Sequence, residues 1–553
     1  MTAAQTTIGG YLLKRLQDHG IGHIFGVPGD FVLGFMTDIE ASPIQLVNTC
    51  DEQGAGFAAD AYARLKGIGA VCVTYGVGGL KLANTTGQAY AERVPVVVIS
   101  GAPSMAERRR NPLIHHKVRS YDTQYRVFQQ LTVGATVLDD PDDACREIDR
   151  VLRLCKRHSR PVYIELPRDM VDAEAPIESH LIDDHVPSDA RVLEAALAEA
   201  RNWIDRAERP VIFFGVELYR FGLQDAVRQL VESSGIPAAV TLLDKGAIEE
   251  DSPLFLGVYA GALGREDVRR YVEESDCLIM LGTLLTDINL GIATANIDPA
   301  RCIHSTRDRL AIGLHTYEGV RLDDFITGLC DCGVRRRHSR DFPHAAVPHP
   351  VAVSVEERDE PITVEHVFSR LRSYLTDEMI VIADPGDALF ASIDLPVQEA
   401  RAFLSPAFYA SLGFAVPGAI GAQCARPDDR PLVLVGDGAF QMTGMELSTC
   451  AKFGLDPIVI VLNNDGYTTE RLIIDGGFND IQEWNFSALP EVLQSGRSWL
   501  VHTRGEFEDA LEGAKQRDGT FALIDVRLDK LDFSPALKRL GQGLNKAATA
   551  AAG

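Results

Sequence analysis

The sequence predicts an α/β protein of three doubly wound parallel-sheet domains. Three observations predict it. Apolar runs of strand length alternate with runs of helical period, which is the rhythm of βα units. Two polar, poorly periodic stretches, 179–190 and 338–361, cut that rhythm into three blocks. The chain has 553 residues, and roughly 150 residues per domain gives three or four domains.

In the first block, 1–178, IGGYLLKRLQDHG has helical amphipathicity. GHIFGVPGD, IQLVNT, GAVCVTYG and VPVVVISGA are apolar strands that end in small residues, and EQGAGFAADAYARL is a helix of small residues between two of them. The second block, 190–337, restarts with the helix VLEAALAEARNWIDRA and the strand RPVIFFGV. LQDAVRQLVESSG, IPAAVTLL, CLIMLGTLL and RCIHST continue the alternation. The third block, 362–541, carries MIVIADPGD, the small-residue helix SLGFAVPGAIGAQCA, PLVLVGDG, PIVIVLNN and FALIDVRL. Its rhythm is similar to that of the first block. Residues 542–553, ending NKAATAAAG, read as a flexible, frayed tail.

Composition narrows the function. A net charge of −24 repels nucleic acid and anionic membranes. Against that sign, Arg108–Arg110 and Arg335–Arg337 read as solvated loop charges. No stretch nears the roughly 18 apolar residues of a membrane span, and the N-terminus has no signal-peptide pattern. The ten cysteines form no zinc pattern. They read as free thiols, and the expected location is the cytoplasm.

The chemistry concentrates where strands stop. LVLV runs into Gly436-Asp437-Gly438, and IVIVL runs into Asn463-Asn464-Asp465-Gly466, with Glu470 just beyond. Ligands of parallel sheets sit beyond the carboxyl ends of strands. Adjacent strands would bring Asp437 and Asn464 together, and their oxygens with a backbone carbonyl would supply half the shell of a magnesium ion. Gly438 and Gly466 permit close backbone approach. A helix starting near Met442 would aim its amides at phosphate. Gly-Asp-Gly alone is weak; the pairing with Asn-Asn, each after an apolar strand, is specific.

This pairing resembles the metal–diphosphate motif of thiamine-diphosphate enzymes, and VLNNDGYTTE resembles their pyruvate and indolepyruvate decarboxylase branch. GVPGDF, the His115-His116 doublet of IHHKV and GGFNDIQEWNF extend the resemblance over nearly the whole chain. It implies a pyrimidine-binding first domain, a central domain and a diphosphate-binding third domain. It implies that Asp437, Asn464 and the Gly466 carbonyl hold Mg2+, with Gly436 and Gly438 beside the cofactor. Glu52, in VNTCDEQGAGF, would activate the cofactor's aminopyrimidine, with Asp51 as competitor for that role. Asp30, His115 and His116 would transfer protons and position substrate, and Glu470 would steer the carboxylate. Thr74 would lie near the cofactor, Leu412 would hold its two rings bent together, and the Ala410 carbonyl would take its exocyclic amine.

The reaction implied is non-oxidative decarboxylation of a small-molecule 2-oxo acid to an aldehyde and carbon dioxide, in a homodimer or homotetramer. Leu389, Thr469, Ile473 and the NLGIA segment near Ala293 would line the substrate pocket. Pyruvate-specific relatives tend to carry isoleucine at the position of Thr469 and phenylalanine near Ala293, so this pocket is expected to take bulky or varied acids: phenylpyruvate, indolepyruvate or branched-chain 2-oxo acids. An acetolactate-synthase-type carboligase, a pyruvate-specific decarboxylase and a scaffold on an inactive enzyme fold are the alternatives. GVELYRFG is no glycine-rich nucleotide loop, so no FAD is expected. The chain departs from the family in ADPGDALF, where Pro385 and Asp387 stand in place of Gly-Thr-Ser, and at Ala439, in place of a common serine. An aspartate beside diphosphate would be repelled. The segment 103–114, PSMAERRRNPLI, is expected to form a mobile loop over the site.

Overall fold

A computed structural model describes residues 5–177, 187–338, 341–344, 354–397 and 402–552, with side chains as far as residue 544. Most of 179–190 and part of 338–361, the two stretches read as linkers, lie outside the described residues.

The first sheet has six parallel strands. Across it they run Gln45–Asn48, His23–Val27, Gly69–Val73, Val96–Ala102, Val162–Pro167 and Gly134–Val137. The third sheet runs Phe403–Leu404, Met379–Ala383, Arg430–Gly436, Ile458–Asn463, Ala522–Arg527 and Arg497–Val501, again six and parallel. Numbered along the chain, both sheets have the strand order 2-1-3-4-6-5. Their central strands are Val/Ile/Leu runs buried on both faces, as helix-covered parallel sheets require. The order switches direction between first and third strands, the place where such sheets bind ligands.

The central sheet has seven strands. Five are parallel, and Arg309–Ile312 and His315–Tyr317 extend its edge antiparallel. These short edge strands carry no strong periodicity and were not legible in the sequence. The helix Glu52–Lys66 of the first domain packs on Ala415–Ala425 of the third. Small residues set that approach: a side chain at Gly421 would meet the Ala58 carbonyl oxygen at 1.9 Å.

Two local expectations change. The helix after the third strand spans Asp437–Thr443, so it starts on the aspartate and not near Met442. The strand turns directly into the helix with no connecting loop. The tail read as frayed continues the helix Pro535–Ala552, because its alanines are the strongest helix formers.

Candidate active site

Gly436 pairs in parallel register with Leu462, so Asp437 and Asn464 emerge side by side. Asp437 is 1% exposed. Its Oδ1 accepts the Gly438 N–H at 2.7 Å, and its Oδ2 accepts the N–H groups of Asn464 at 3.2 Å and Gly466 at 3.0 Å. Burial pushes its carboxyl up to about 6, against the pull of those three bonds. Asn464 Oδ1 is buried without a partner. An orphaned buried acceptor is costly, and one beside a buried carboxylate makes a hard-oxygen donor set that fits magnesium. The two glycines keep this cradle open. A side chain at Gly466 would strike the Asn479 carbonyl oxygen at 1.9 Å, and one at Gly438 would meet the Tyr467 ring at 2.7 Å.

A cavity of about 320 Å³ adjoins the cradle. Ala410, Leu412, Gly436, Leu389, Thr469, Glu470 and Ile473 all line it, as do Pro385 and Asp387. Ala293 does not. It is exposed, and Ile288 and Ile292 of the same segment form that wall instead. Gly291, Ile292 and Ala293 all have left-handed backbone, at φ 60°, 52° and 62°. A β-branched residue such as Ile292 adopts left-handed backbone only under constraint.

Asp387 does not face a phosphate position freely. Its Oδ2 accepts the Ser534 N–H at 2.8 Å, just before the helix Pro535–Ala552. Burial pushes its carboxyl up to about 6.

On the first domain, Asp30, His115 and His116 lie together, with one ligating atom of each within 4.8 Å of the others. His115 Nε2 is 2.7 Å from Asp30 Oδ2, and Phe31 stacks on the His115 ring with centroids 5.0 Å apart. His116 has φ 66° and a buried, unpartnered Nδ1. Glu52 opens its helix. Asp51 is committed to the cap, accepting the Gln53 N–H at 2.8 Å, which leaves Glu52 free of backbone duty. Glu52 meets Lys81 Nζ at 3.0 Å. The Thr74 hydroxyl is buried without a partner. None of Asp30, Glu52, Thr74, His115 or His116 lines the cavity of the third domain.

Segment 103–114 is not an open loop. Ser104 and Glu107 form a capping box on the helix Met105–Arg110. Arg108, read as a solvated charge, pairs with the buried Glu165.

Three residues escaped the sequence reading. Glu446 accepts the N–H groups of Cys50 and Asp51, each at 3.1 Å, so the third domain grips the residues just before Glu52. Arg471 joins Asp475, Asp480 and the Asp465 carbonyl, bracing the loop that carries Gly466. Asp384 is buried at the end of Met379–Ala383. The ADPGD turn was a visible signal for Asp384; Glu446 had none, because its partners lie hundreds of residues away.

Comparison with known proteins accords with this geometry. Family models of thiamine pyrophosphate enzymes match three regions: the N-terminal TPP-binding domain at 6–124, the central domain at 197–322 and the C-terminal TPP-binding domain at 386–526. Indole-3-pyruvate decarboxylase of Azospirillum brasilense is 38% identical over 540 residues, covering 96% of this chain and 97% of that one. Alpha-keto-acid decarboxylase of Mycobacterium avium is 34% identical over 542 residues, covering 97% and 96%. That of Mycobacterium tuberculosis H37Rv is 33% identical over 541 residues. With thiamine-pyrophosphate domains along the chain and decarboxylases matching it nearly end to end, this protein belongs to the thiamine-diphosphate-dependent 2-oxo acid decarboxylases.

Proposed function

We propose that this decarboxylase prefers bulky 2-oxo acids, and that it works with Mg2+ in a dimer or tetramer. The observation that carries the substrate reading is the cavity beside Asp437. Ile288, Ile292, Leu389, Phe390 and Ile473 give it apolar walls, and Thr469 stands where a larger side chain would narrow it. The relative from Azospirillum brasilense, named for indole-3-pyruvate, supports a roomy pocket.

Asp437, Asn464 and the Gly466 carbonyl would hold the metal, and Gly436 and Gly438 would let the diphosphate approach. Thiamine diphosphate, when bound, supplies the electron sink for loss of carbon dioxide. Glu52 would face the pyrimidine ring and favour its reactive imino form. Leu412 would hold the two cofactor rings bent together, the Ala410 carbonyl would take the exocyclic amine, and Thr74 would lie near the cofactor. Asp30, His115 and His116 carry protons to and from the substrate carbon and oxygen. Glu470 positions the substrate carboxylate in a cavity whose apolar walls limit water.

The two sets of groups sit on different domains, and in one chain the cavity draws nothing from the first. That separation supports a second copy whose first domain would complete the site. Free cysteines throughout the described residues accord with a reducing cytoplasm.

Carbon dioxide release from pyruvate, phenylpyruvate and indolepyruvate, with thiamine diphosphate and magnesium, tests the reading. The expected result is higher kcat/KM on the aromatic acids with free aldehyde as product. A strong preference for pyruvate overturns the pocket assignment, and acyloin as main product favours the carboligase.

A further inference from the structure

The strand Met379–Ala383 ends in an acid that the reaction does not use. Asp384 is 0% exposed, and no basic side chain pairs with it among the described residues. Its own N–H donates to the Leu434 carbonyl at 2.9 Å, which pins it to the strand leading to Asp437. Its carboxylate reaches across to another loop. Oδ1 accepts the Gly413 N–H at 2.9 Å, and Oδ2 accepts the Ala415 N–H at 2.7 Å. Without a counter-charge, burial pushes the carboxyl up to about 7 despite these bonds.

Capping the helix Ala415–Ala425 would require only the bond to Ala415. A serine or asparagine could make it without burying an acid. The second bond goes to Gly413, outside the helix, where the chain reverses with φ 87°. The Gly413 carbonyl is held in turn: it accepts the Thr443 hydroxyl at 2.7 Å. Thr443 ends the helix that Asp437 begins. The loop is therefore clamped between the acid and the helix of the metal cradle. That loop presents Ala410, at φ 58°, and Leu412 to the cavity.

We propose that Asp384 is a positioning residue, fixing the Ala410–Gly413 loop at the height where Ala410 and Leu412 meet the cofactor. The proposal rests on the reading that those two residues face the cofactor. Its physical content is preorganisation: two short bonds from one rigid strand end hold the loop before the ligand arrives.

The test compares four purified variants of the full chain. Each is assayed for apoenzyme melting temperature, thiamine diphosphate affinity with magnesium by titration calorimetry, and kcat at saturating cofactor. Asp384→Asn keeps the size but turns an amide N–H toward one of the two donors. Asp384→Ser keeps an acceptor for Ala415, drops the bond to Gly413 and removes the buried acid, so its fold is not strained by an unpaired charge. Both are expected to bind cofactor roughly ten- to a hundredfold more weakly and to lose kcat. Asp456→Asn removes a buried carboxylate near the far end of the same helix, where it accepts from Gln423. It should lower the melting temperature and leave cofactor affinity alone. Leu412→Ala separates the two layers. If it leaves cofactor affinity and kcat unchanged, the reading of the loop fails. If it weakens them while the Asp384 variants stay within about twofold of wild type, the reading stands and the positioning role is overturned. Failure of both Asp384 variants to fold assigns the residue to folding alone and also overturns it.

Discussion

Two regions of this molecule share one strand order and are finished in opposite ways. At the strand ends of the third sheet the polar groups are sunk: Asp384, Asp437 and Asn464 are at most 6% exposed. Asp384 and Asp437 each receive backbone N–H groups. On loops of the first domain, the Asp30 and His115 side chains are 44% and 59% exposed and joined to each other, although Thr74, just past the strand Gly69–Val73, is buried. The difference teaches what each half is built for. A site for a fixed charged group gains from dipoles oriented in advance inside a dry wall. Groups proposed to exchange protons with a changing substrate gain from access to it.

The comparison breaks most sharply at Asp437. Asp437→Ala should abolish magnesium-dependent cofactor binding, exceeding the roughly 10–100-fold loss that a mere supporting group costs. Calorimetry with and without magnesium checks this, and retained binding would place the metal elsewhere. On the first domain, Glu52→Gln should cut kcat by roughly 10²–10⁴ while cofactor affinity and melting temperature stay near wild type. Loss of binding in that variant would make the first half a second clamp and erase the contrast. A smaller effect concerns the cavity beside Asp437. Thr469→Ile should shift the pyruvate-to-phenylpyruvate ratio of kcat/KM toward pyruvate by roughly 1–3 kcal/mol. No change would leave Ile288 and Ile292 as the walls that matter.

The last expected effect is on pH. Burial holds Asp384 up to about 7 and Asp387 up to about 6, whereas an unfolded aspartate titrates near ~3.9. Between those values the folded apoenzyme binds more protons than the unfolded chain. The stability they contribute is complete below about 4 and is lost as pH rises through 6 and 7. The apoenzyme should therefore melt at lower temperature at pH 7.5 than at pH 5, and Asp387→Asn should flatten that slope. A melting temperature that rises over the same range would show that ionised carboxylates, not buried neutral ones, govern the third domain.

By itself the sequence determined the three βα rhythms and the strand-end turns that hold the candidate site. Both are local: strand-length apolar runs, and Gly-Asp-Gly or Asn-Asn-Asp-Gly placed where a strand must stop. It also located the histidine doublet and Glu52, because short patterns carried them. Tertiary structure alone decided which wall faces the cavity. Ile292 borders the cavity although 37% exposed, Ala293 beside it does not, and no periodicity encodes the three successive left-handed residues there. It alone decided that Asp387 answers Ser534, that Asp384 holds Gly413, and that Glu446 reaches Cys50 and Asp51. It also kept the groups of the first domain away from the cavity of the third within one chain. Periodicity reports which face of an element is buried. What a buried carboxylate touches is set by packing between distant segments, and that enters only when the sheets and helices close on one another.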